Sequence, residues 1–325
     1  MSDRVPTIAV LTPVFNEEES LPRYEEAVRR VFFSRTDLRF EVWLIDDGSQ
    51  DGSWACIVEL CLKDARFHGL RLSRNFGSHV ALSAGFDRVD ADAVATLACD
   101  LQDPPEVVLR FAEEWRKGAQ IVWGHRRTRE DAAWRTFASG RFAALLRRYA
   151  MPKGSKFTTG SFLLVDRVVA DCFRQFTEHN RITFALVAWT GFRQAVVDYD
   201  RVERAAGVSG WTFRRMLKTM YDAFIGFSHL PIRMMTLVGI ANFLLAVALG
   251  AYLLLNWALN DSPLRGYTSI MLVVVFFFGV QFLLMGIMGE YLYRIYAEST
   301  ERPLYFIMEQ AGPDGAKALT RPYGA

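Results

Sequence analysis

The chain has 325 residues, 51% of them hydrophobic, and a formal net charge of +2. Its length admits one large or two modest domains, its apolar share is high for a soluble protein, and its near-neutral charge argues against a nucleic-acid binder that reads phosphates with a basic face. The four cysteines, Cys56, Cys61, Cys99 and Cys172, make no CxxC pair and read as reduced, small apolar residues of a cytosolic compartment.

The first residues, Met1 to Pro6, hold no apolar run of the signal-peptide kind, and the first two-thirds of the chain is expected to stay in the cytoplasm. Thr7 to Phe15 predicts a buried strand, and a helix is expected from about Leu21 to Phe33. Phe40 to Ile45 predicts a second strand, followed by a helix from about Trp54 to Lys63 whose start is capped within Ser49 to Ser53. His68 to Ser73 reads as a third strand, with a helix from about Ser78 to Val89. Asp92 to Cys99 is apolar and partly β-branched, the composition of a buried strand, and Pro104, Pro105 and Glu106 open a further helix. Gln120 to Gly124 is a fifth strand. Strands alternating with helices through short connections predict an α/β domain, a parallel sheet with helices on both faces.

Three of these strands end in polar clusters. Asn16 and Glu17 follow the first, Asp46 and Asp47 the second, and Asp100, Gln102 and Asp103 the fourth. A single acidic strand end reads equally well as a polar turn with a helix cap. Three on one sheet edge would gather carboxylates whose repulsion is costly without cations or hydrogen-bond donors. In open α/β sheets that edge is where ligands bind, and hard oxygen ligands there suit Mg²⁺ or Mn²⁺ on a phosphate substrate.

Beyond Arg126 the chain turns basic. A helix is expected from about Ala132 to Ala150, with Arg135, Arg141, Arg147 and Arg148, then a basic loop from Met151 to Gly160. Ser161 to Val165 predicts a strand, Asp166 to Phe176 and Arg181 to Trp189 predict helices, and Gln194 to Tyr199 predicts another strand. Trp211 to His229 has an apolar side and a basic one, which suits either a helix lying at a membrane surface or a plain docking helix. Two long runs follow, Met234 to Asn260 and Gly266 to Gly289, free of charged residues. At about 1.5 Å per residue each exceeds the roughly 30 Å hydrocarbon core of a bilayer. With only Asp261 to Arg265 between them, they are expected to form a transmembrane hairpin. Arg233, Arg294 and Arg302 flank its outer ends and put those ends in the cytoplasm by the positive-inside rule. The expected organisation is a sheet domain over residues 1–208, an interfacial helix over 209–232, two spans over 233–296 and a cytoplasmic tail over 297–325. Gly239, Gly250, Gly279, Gly286 and Gly289 would permit close helix packing in a homo-oligomer, although small residues also occur in lone spans.

Five motifs, in order, carry a resemblance to a family: Thr12 to Glu18, Asp46 to Ser53, Arg74 to Gly77, Asp100 to Glu106, and Phe227 to Pro231. The chain resembles glycosyltransferase family two, of the Rossmann-like GT-A fold, and within it the polyprenyl-phosphate glycosyltransferases, over about residues 7 to 300. The resemblance implies a nucleotide-sugar donor (UDP-glucose or a related UDP-sugar), a polyprenyl phosphate acceptor, a divalent cation, and a place on the cytoplasmic face of the inner membrane. Residue by residue, it implies that Pro13, Asn16, Glu17 and Asp46 line the nucleotide pocket, with Asp46 accepting from the base and Asp47 supporting that loop. Asp100 and Gln102 would hold the metal and the donor pyrophosphate. Arg126 would meet phosphates, and Arg204, in an Arg-x-x-Gly-x-Ser loop closed by Ser209, would belong to a moving lid.

Two positions depart from the family's pattern. Ala98 stands where an Asp-x-Asp motif has its first aspartate, and Ser161 stands where an aspartate proposed as a base is common. Mg²⁺ keeps waters readily and works with one carboxylate plus phosphate oxygens. A phosphate monoester, with a second pKa of about 6, is already largely dianionic at neutral pH and needs positioning more than deprotonation. Ser161 would then donate a hydrogen bond to that phosphate or to the sugar. The expected chemistry is direct, inverting displacement at the anomeric carbon. Two other readings stay open: a membrane glycosyltransferase with another lipid or polysaccharide acceptor, and a degenerate sugar-nucleotide-binding scaffold.

Overall fold

A computed structural model describes residues 4–127, 162–178, 182–200, 230–260, 266–313 and 315–318. The basic helix expected at 132–150, the loops at 151–160 and 201–211, the amphipathic helix at 211–229 and the linker at 261–265 lie outside the described residues. The chain divides into two units, one of residues 1–216 with 303–325 and one of residues 217–302.

The first unit is built on a sheet. Strands β1 (Thr7–Val14), β2 (Arg39–Asp46), β3 (Phe67–Leu72) and β4 (Ala93–Thr96) alternate with helices α1 (Leu21–Val31), α2 (Ser53–Lys63), α3 (Ser78–Arg88) and α4 (Glu106–Arg116). Then come β5 (Ile121–Arg126), β6 (Leu163–Asp166), α5 (Arg167–Arg174), α6 (Thr183–Trp189) and β7 (Gln194–Tyr199). Two strands near the carboxyl terminus, β8 (Ile307–Gly312) and β9 (Gly315–Ala318), complete the sheet, whose order is β7-β5-β6-β4-β1-β2-β3-β8-β9.

Alternation along β1 sets the two layers. Ile8, Val10 and Val14 pack with Leu21, Tyr24 and Val28 of α1, Ile57 of α2 and Phe111 of α4 in one core. Leu11 points to the other face, where α3 comes so close that a Cβ on Gly85 would lie 3.0 Å from it and 3.1 Å from Ile45. On that face Phe86 and Phe173 pack ring to ring at 4.8 Å. Helices thus cover both faces, as the alternation of elements predicts.

The sheet is mixed, however, where the alternation predicts a parallel one. β6 runs antiparallel to both β4 and β5, and β8 antiparallel to β3. β6 is reached through a long basic insertion rather than a short crossover helix, so no handedness rule binds its direction. Asp166, at its end, caps α5 by accepting from the Val168 amide at 2.9 Å and takes the Trp115 indole N–H at 2.7 Å. No strand is expected from the sequence of the last 29 residues, yet β8 and β9 lie there and extend the sheet beyond β3.

The second unit holds two helices, α7 (Leu230–Asn260) and α8 (Tyr267–Ser299). Each contains a stretch long and apolar enough to cross a membrane. Large side chains such as Leu237, Phe243 and Phe282 stand exposed on them.

At the start of α3, burial pushes the His79 imidazole down to about 4, and its buried Nδ1 finds no hydrogen-bond partner among the described residues. Between that value and the ordinary 6.5, the unfolded chain binds a proton that the folded chain does not, so folding stability falls as pH drops through this window. The group contributes at most about 3 kcal/mol to that fall. Replacing it with phenylalanine (His79→Phe) is expected to flatten the decline in melting temperature between pH 7 and pH 4.5, measured by thermal unfolding of the purified chain. An unchanged slope would rule the imidazole out as its source.

Candidate active site at the carboxyl edge of the sheet

β1, β2, β3 and β4 are mutually parallel, and the antiparallel β6 restores β5 and β7 to the same direction. The carboxyl ends of β1, β2, β4, β5 and β7 therefore share one edge. Pro13, Asn16, Glu17, Asp46, Asp47, Asp100, Gln102 and Arg126 all lie at or just beyond those ends. The three polar strand ends, Asn16 with Glu17, Asp46 with Asp47, and Asp100 with Gln102 and Asp103, thus share one edge of the sheet. Ser161, Arg204 and Ser209 lie outside the described residues.

The loops after β1 and β2 are knitted together by side chains that bind backbone. The Asn16 amide donates to Ser49 Oγ at 2.9 Å, and Asn16 Oδ1 accepts from the Gln50 amide at 2.9 Å. The Glu17 amide donates to Ser53 Oγ at 2.9 Å, and Glu17 Oε2 accepts from Ser20 Oγ at 2.6 Å. Asn16 adopts φ 54°, a left-handed conformation that asparagine tolerates better than most residues and that aims the chain toward the β2 loop. Gly48 sits at φ 71°, and a Cβ there would come within 2.5 Å of the Arg74 backbone. The tight approach brings the Arg74 to Gly77 loop onto Asp47.

Asp46 and Asp47 are both buried, at 0% and 3% exposure. Asp47 accepts from the Phe76 and Gly77 amides at 2.7 and 2.8 Å. Burial pushes its carboxyl above the usual carboxylate range and these two amides oppose the rise. Asp46 Oδ1 accepts from the Ser49 amide at 3.0 Å. Its Oδ2 makes no hydrogen bond among the described residues and lies 3.3 Å from Arg71 Nε. Burial raises the Asp46 carboxyl too, against Ser49 and the Arg71 charge. A buried carboxylate oxygen that faces a charge and has no hydrogen-bond donor is an exception that asks for a partner.

Asp100 Oδ1 accepts from the Gln102 amide at 3.2 Å, across Leu101 at φ 53°. Both Asp100 and Gln102 are half-buried. No group of three or more His, Cys, Asp or Glu able to hold a metal ion occurs among the described residues. The donor set fits a divalent cation only in the form where Asp100 supplies one carboxylate and ligand phosphate oxygens and water supply the rest.

Arg126 is held by Asp103, which the sequence reading placed in the acidic cluster, and by Tyr199, which it assigned no role. Its Nε donates to the Tyr199 hydroxyl at 3.1 Å, and that hydroxyl donates to Asp103 Oδ1 at 2.6 Å. Arg126 Nη2 lies 3.4 Å from the same Asp103 oxygen. Burial, then Asp103, push the Tyr199 phenol above its ordinary value, so it stays a proton donor. Arg126 and Tyr199 are opposed across β5 and β7, a pairing that only the strand register reveals. Arg71 was missed for the same reason: it faces Asp46 across β2 and β3.

Comparison with known proteins gives the family. Residues 9–174 match the family model of glycosyl transferase family 2. Over 308 residues the chain is 33% identical to an uncharacterized glycosyltransferase of Synechocystis, covering 94% of this chain and 96% of that protein. Over 304 residues it is 33% identical to the bactoprenol glucosyl transferase of Shigella phage SfV, covering 93% of this chain and 98% of that one. Among solved structures it is similar to mannosyl-3-phosphoglycerate synthase from Rubrobacter xylanophilus, at 14% identity and a TM-score of 0.49, covering 81% of this chain and 78% of that one.

Removing the Tyr199 hydroxyl (Tyr199→Phe) takes a hydrogen bond from the Arg126 guanidinium and leaves the buried Asp103 short of a donor. Loss of a hydrogen bond to charged groups is worth about 1.5–3 kcal/mol, so kcat/KM is expected to fall about tenfold to a hundredfold. Steady-state kinetics of sugar transfer checks this, and an unchanged kcat/KM would remove Tyr199 from the site.

Proposed function

Because this chain belongs to glycosyl transferase family 2 and is a glycosyltransferase of GT-A-like α/β fold, we propose that it moves a sugar from a nucleotide donor to a polyprenyl phosphate at the cytoplasmic face of a membrane. The observation that carries the reading is the joining, in one chain, of a polar sheet edge with two helices long enough to cross a bilayer. A hairpin of two spans is too little for a translocation channel but enough to hold an enzyme beside a lipid substrate. The name of the Shigella phage relative supports polyprenyl phosphate as the acceptor, and UDP-glucose or a related UDP-sugar is the donor proposed. In domain terms, residues 1–208 carry the chemistry, 209–232 lie at the membrane surface and 233–296 span it.

The roles proposed are those the family resemblance implies, and for the described residues the geometry supports them. Asp46, whose Oδ2 has no hydrogen-bond donor among the described residues, would accept from the base, while Asn16 and Glu17, bound into the Ser49 to Ser53 loop, keep the pocket wall rigid. Asp47 holds the Arg74 to Gly77 loop against the same pocket. Arg126 presents positive charge to phosphate oxygens and is fixed by Tyr199 and Asp103, so little side-chain entropy is lost when phosphate arrives. Asp100 and Gln102 are the residues that would hold Mg²⁺ or Mn²⁺. When bound there, the cation neutralises charge on the departing diphosphate. The lipid phosphate oxygen attacks the anomeric carbon opposite the diphosphate, with inversion and without a covalent intermediate on the protein. Ser161 would donate a hydrogen bond to that phosphate, and Arg204 and Ser209 would close over both substrates.

Ala98 favours a second reading, a scaffold that binds sugar nucleotides without turnover. Incubation of the purified chain with radiolabelled nucleotide sugars and undecaprenyl phosphate separates the two. Lipid-extractable label is expected, and the Asp100→Ala variant is expected to lose about a hundredfold in rate while still folding. Donor binding with no lipid product across a broad donor panel would establish the scaffold. A fully active Asp100→Ala would sink the metal assignment.

A further inference from the structure

Behind the proposed base contact lies a row of charge that runs across three strands. Asp46, Arg71 and Glu309 occupy directly opposed positions on β2, β3 and β8, so their side chains share one face of the sheet. Arg71 Nε lies 3.3 Å from Asp46 Oδ2, and Arg71 Nη1 donates to Glu309 Oε1 at 2.8 Å. The other Glu309 oxygen accepts from the Trp54 indole at 3.2 Å, and the Arg71 guanidinium sits 5.7 Å from the Trp54 ring centroid. Asp46 is fully buried, whereas Arg71 and Glu309 are each 26% exposed. The charge facing the buried carboxylate thus belongs to a long side chain that reaches the surface and is clamped there.

β8 is a seated strand rather than a loose end. A Cβ on Gly69 would lie 3.0 Å from the Ala311 Cβ, and Ala311 is 1% exposed. The Ser73 amide donates to the Phe306 carbonyl at 2.9 Å, and the Tyr305 hydroxyl donates to Asp87 at 2.7 Å. Only residues 300–306 separate β8 from helix α8.

We propose that Glu309 is a positioning residue of the nucleotide site, holding Arg71 against Asp46, so that the donor pocket is completed by the strand that follows the second long apolar helix. The inference rests on the reading of Asp46 as the base contact. Without Glu309, Arg71 would regain rotamer freedom and spend part of its time in water. Asp46 would then face the base less often as an ordered, ionised acceptor. Glu309 touches no substrate and acts only through Arg71. The proposal gives the carboxyl-terminal strand a part in donor binding.

The test uses the full-length chain in detergent and titrates uridine and guanosine diphosphate by calorimetry, following whichever the unaltered chain binds. The Glu309→Gln variant is expected to bind that nucleotide about fivefold to tenfold more weakly, to raise KM for the donor with little change in kcat, and to melt within a few degrees of the unaltered chain. Arg71→Gln should weaken binding further. It should also move the acid limb of binding to higher pH, because the Arg71 charge adds to the Ser49 hydrogen bonds that lower the Asp46 carboxyl against burial. In the Arg71→Gln background, Glu309→Gln should add nothing. Losses that simply multiply in the double variant would make Glu309 a structural residue and overturn the proposal. Unaltered binding by Glu309→Gln, with binding abolished in Asp46→Asn, would overturn the proposal and leave the site intact. Unaltered binding by Asp46→Asn would overturn the reading of the site itself.

Discussion

Burying carboxylates at the end of a sheet is the constraint on which this structure turns. Asp46, Asp47 and Asp103 are each at most 3% exposed, and an uncompensated buried charge costs several kcal/mol. Each is compensated differently. Asp47 takes two backbone amides, Asp46 takes one amide and an arginine charge, and Asp103 takes a tyrosine hydroxyl and an arginine charge. The first solution is wholly local and makes a rigid loop. The other two leave an arginine oriented at the edge. The polar edge is therefore an electrostatic frame in which structural and ligand-facing roles fall to adjacent residues, as with Asp46 and Asp47.

That division explains what was legible in the sequence. The strand ends at Asn16, Asp46 and Asp100 could be read because each follows an apolar run and precedes a helical one, and local pattern alone aligns them. The helices on both faces follow from the same alternation. The two long apolar helices could be read from length alone. The family motifs added roles to Asp46, Asp100 and Arg126, which composition could not supply.

What could not be read is pairing across strands. Nothing near Tyr199 marks it as a partner of Arg126, because the two are 73 positions apart and meet only through the register of β5 and β7. Glu309 lies 238 positions from Arg71, in a stretch whose glycines and mixed polarity give weak strand signal. Both are polar residues on strands, which sequence reasoning assigns to solvent-facing positions by default. The direction of β6 is hidden for a related reason. Short connections constrain strand direction strongly, but an insertion such as residues 127–162 constrains it hardly at all.

The two antiparallel strands that local pattern could not foresee decide which parts of the chain reach the site. A parallel β6 would have to be entered from the amino edge of the sheet, far from Arg126. Running antiparallel, it is entered at the carboxyl edge, so the basic insertion leaves at Arg127 and returns at Phe162 on the side where Asp100 and Asp46 lie. β7 ends on that side too, so the segment carrying Arg204 and Ser209 departs from Tyr199 beside Asp103. β8 pairs Ile307 with Leu72 at the carboxyl end of β3, so the chain coming from α8 also enters the sheet at this edge. Reversing either strand would keep a well-packed α/β core and nearly the same composition of layers. It would also move an end of the insertion, or the start of β8, to the opposite edge, away from Asp46, Asp100 and Arg126. The mixed order of the sheet is thus the topological condition for bringing the acidic strand ends, the two ends of the insertion at Arg127 and Phe162, and the start of β8 to one edge.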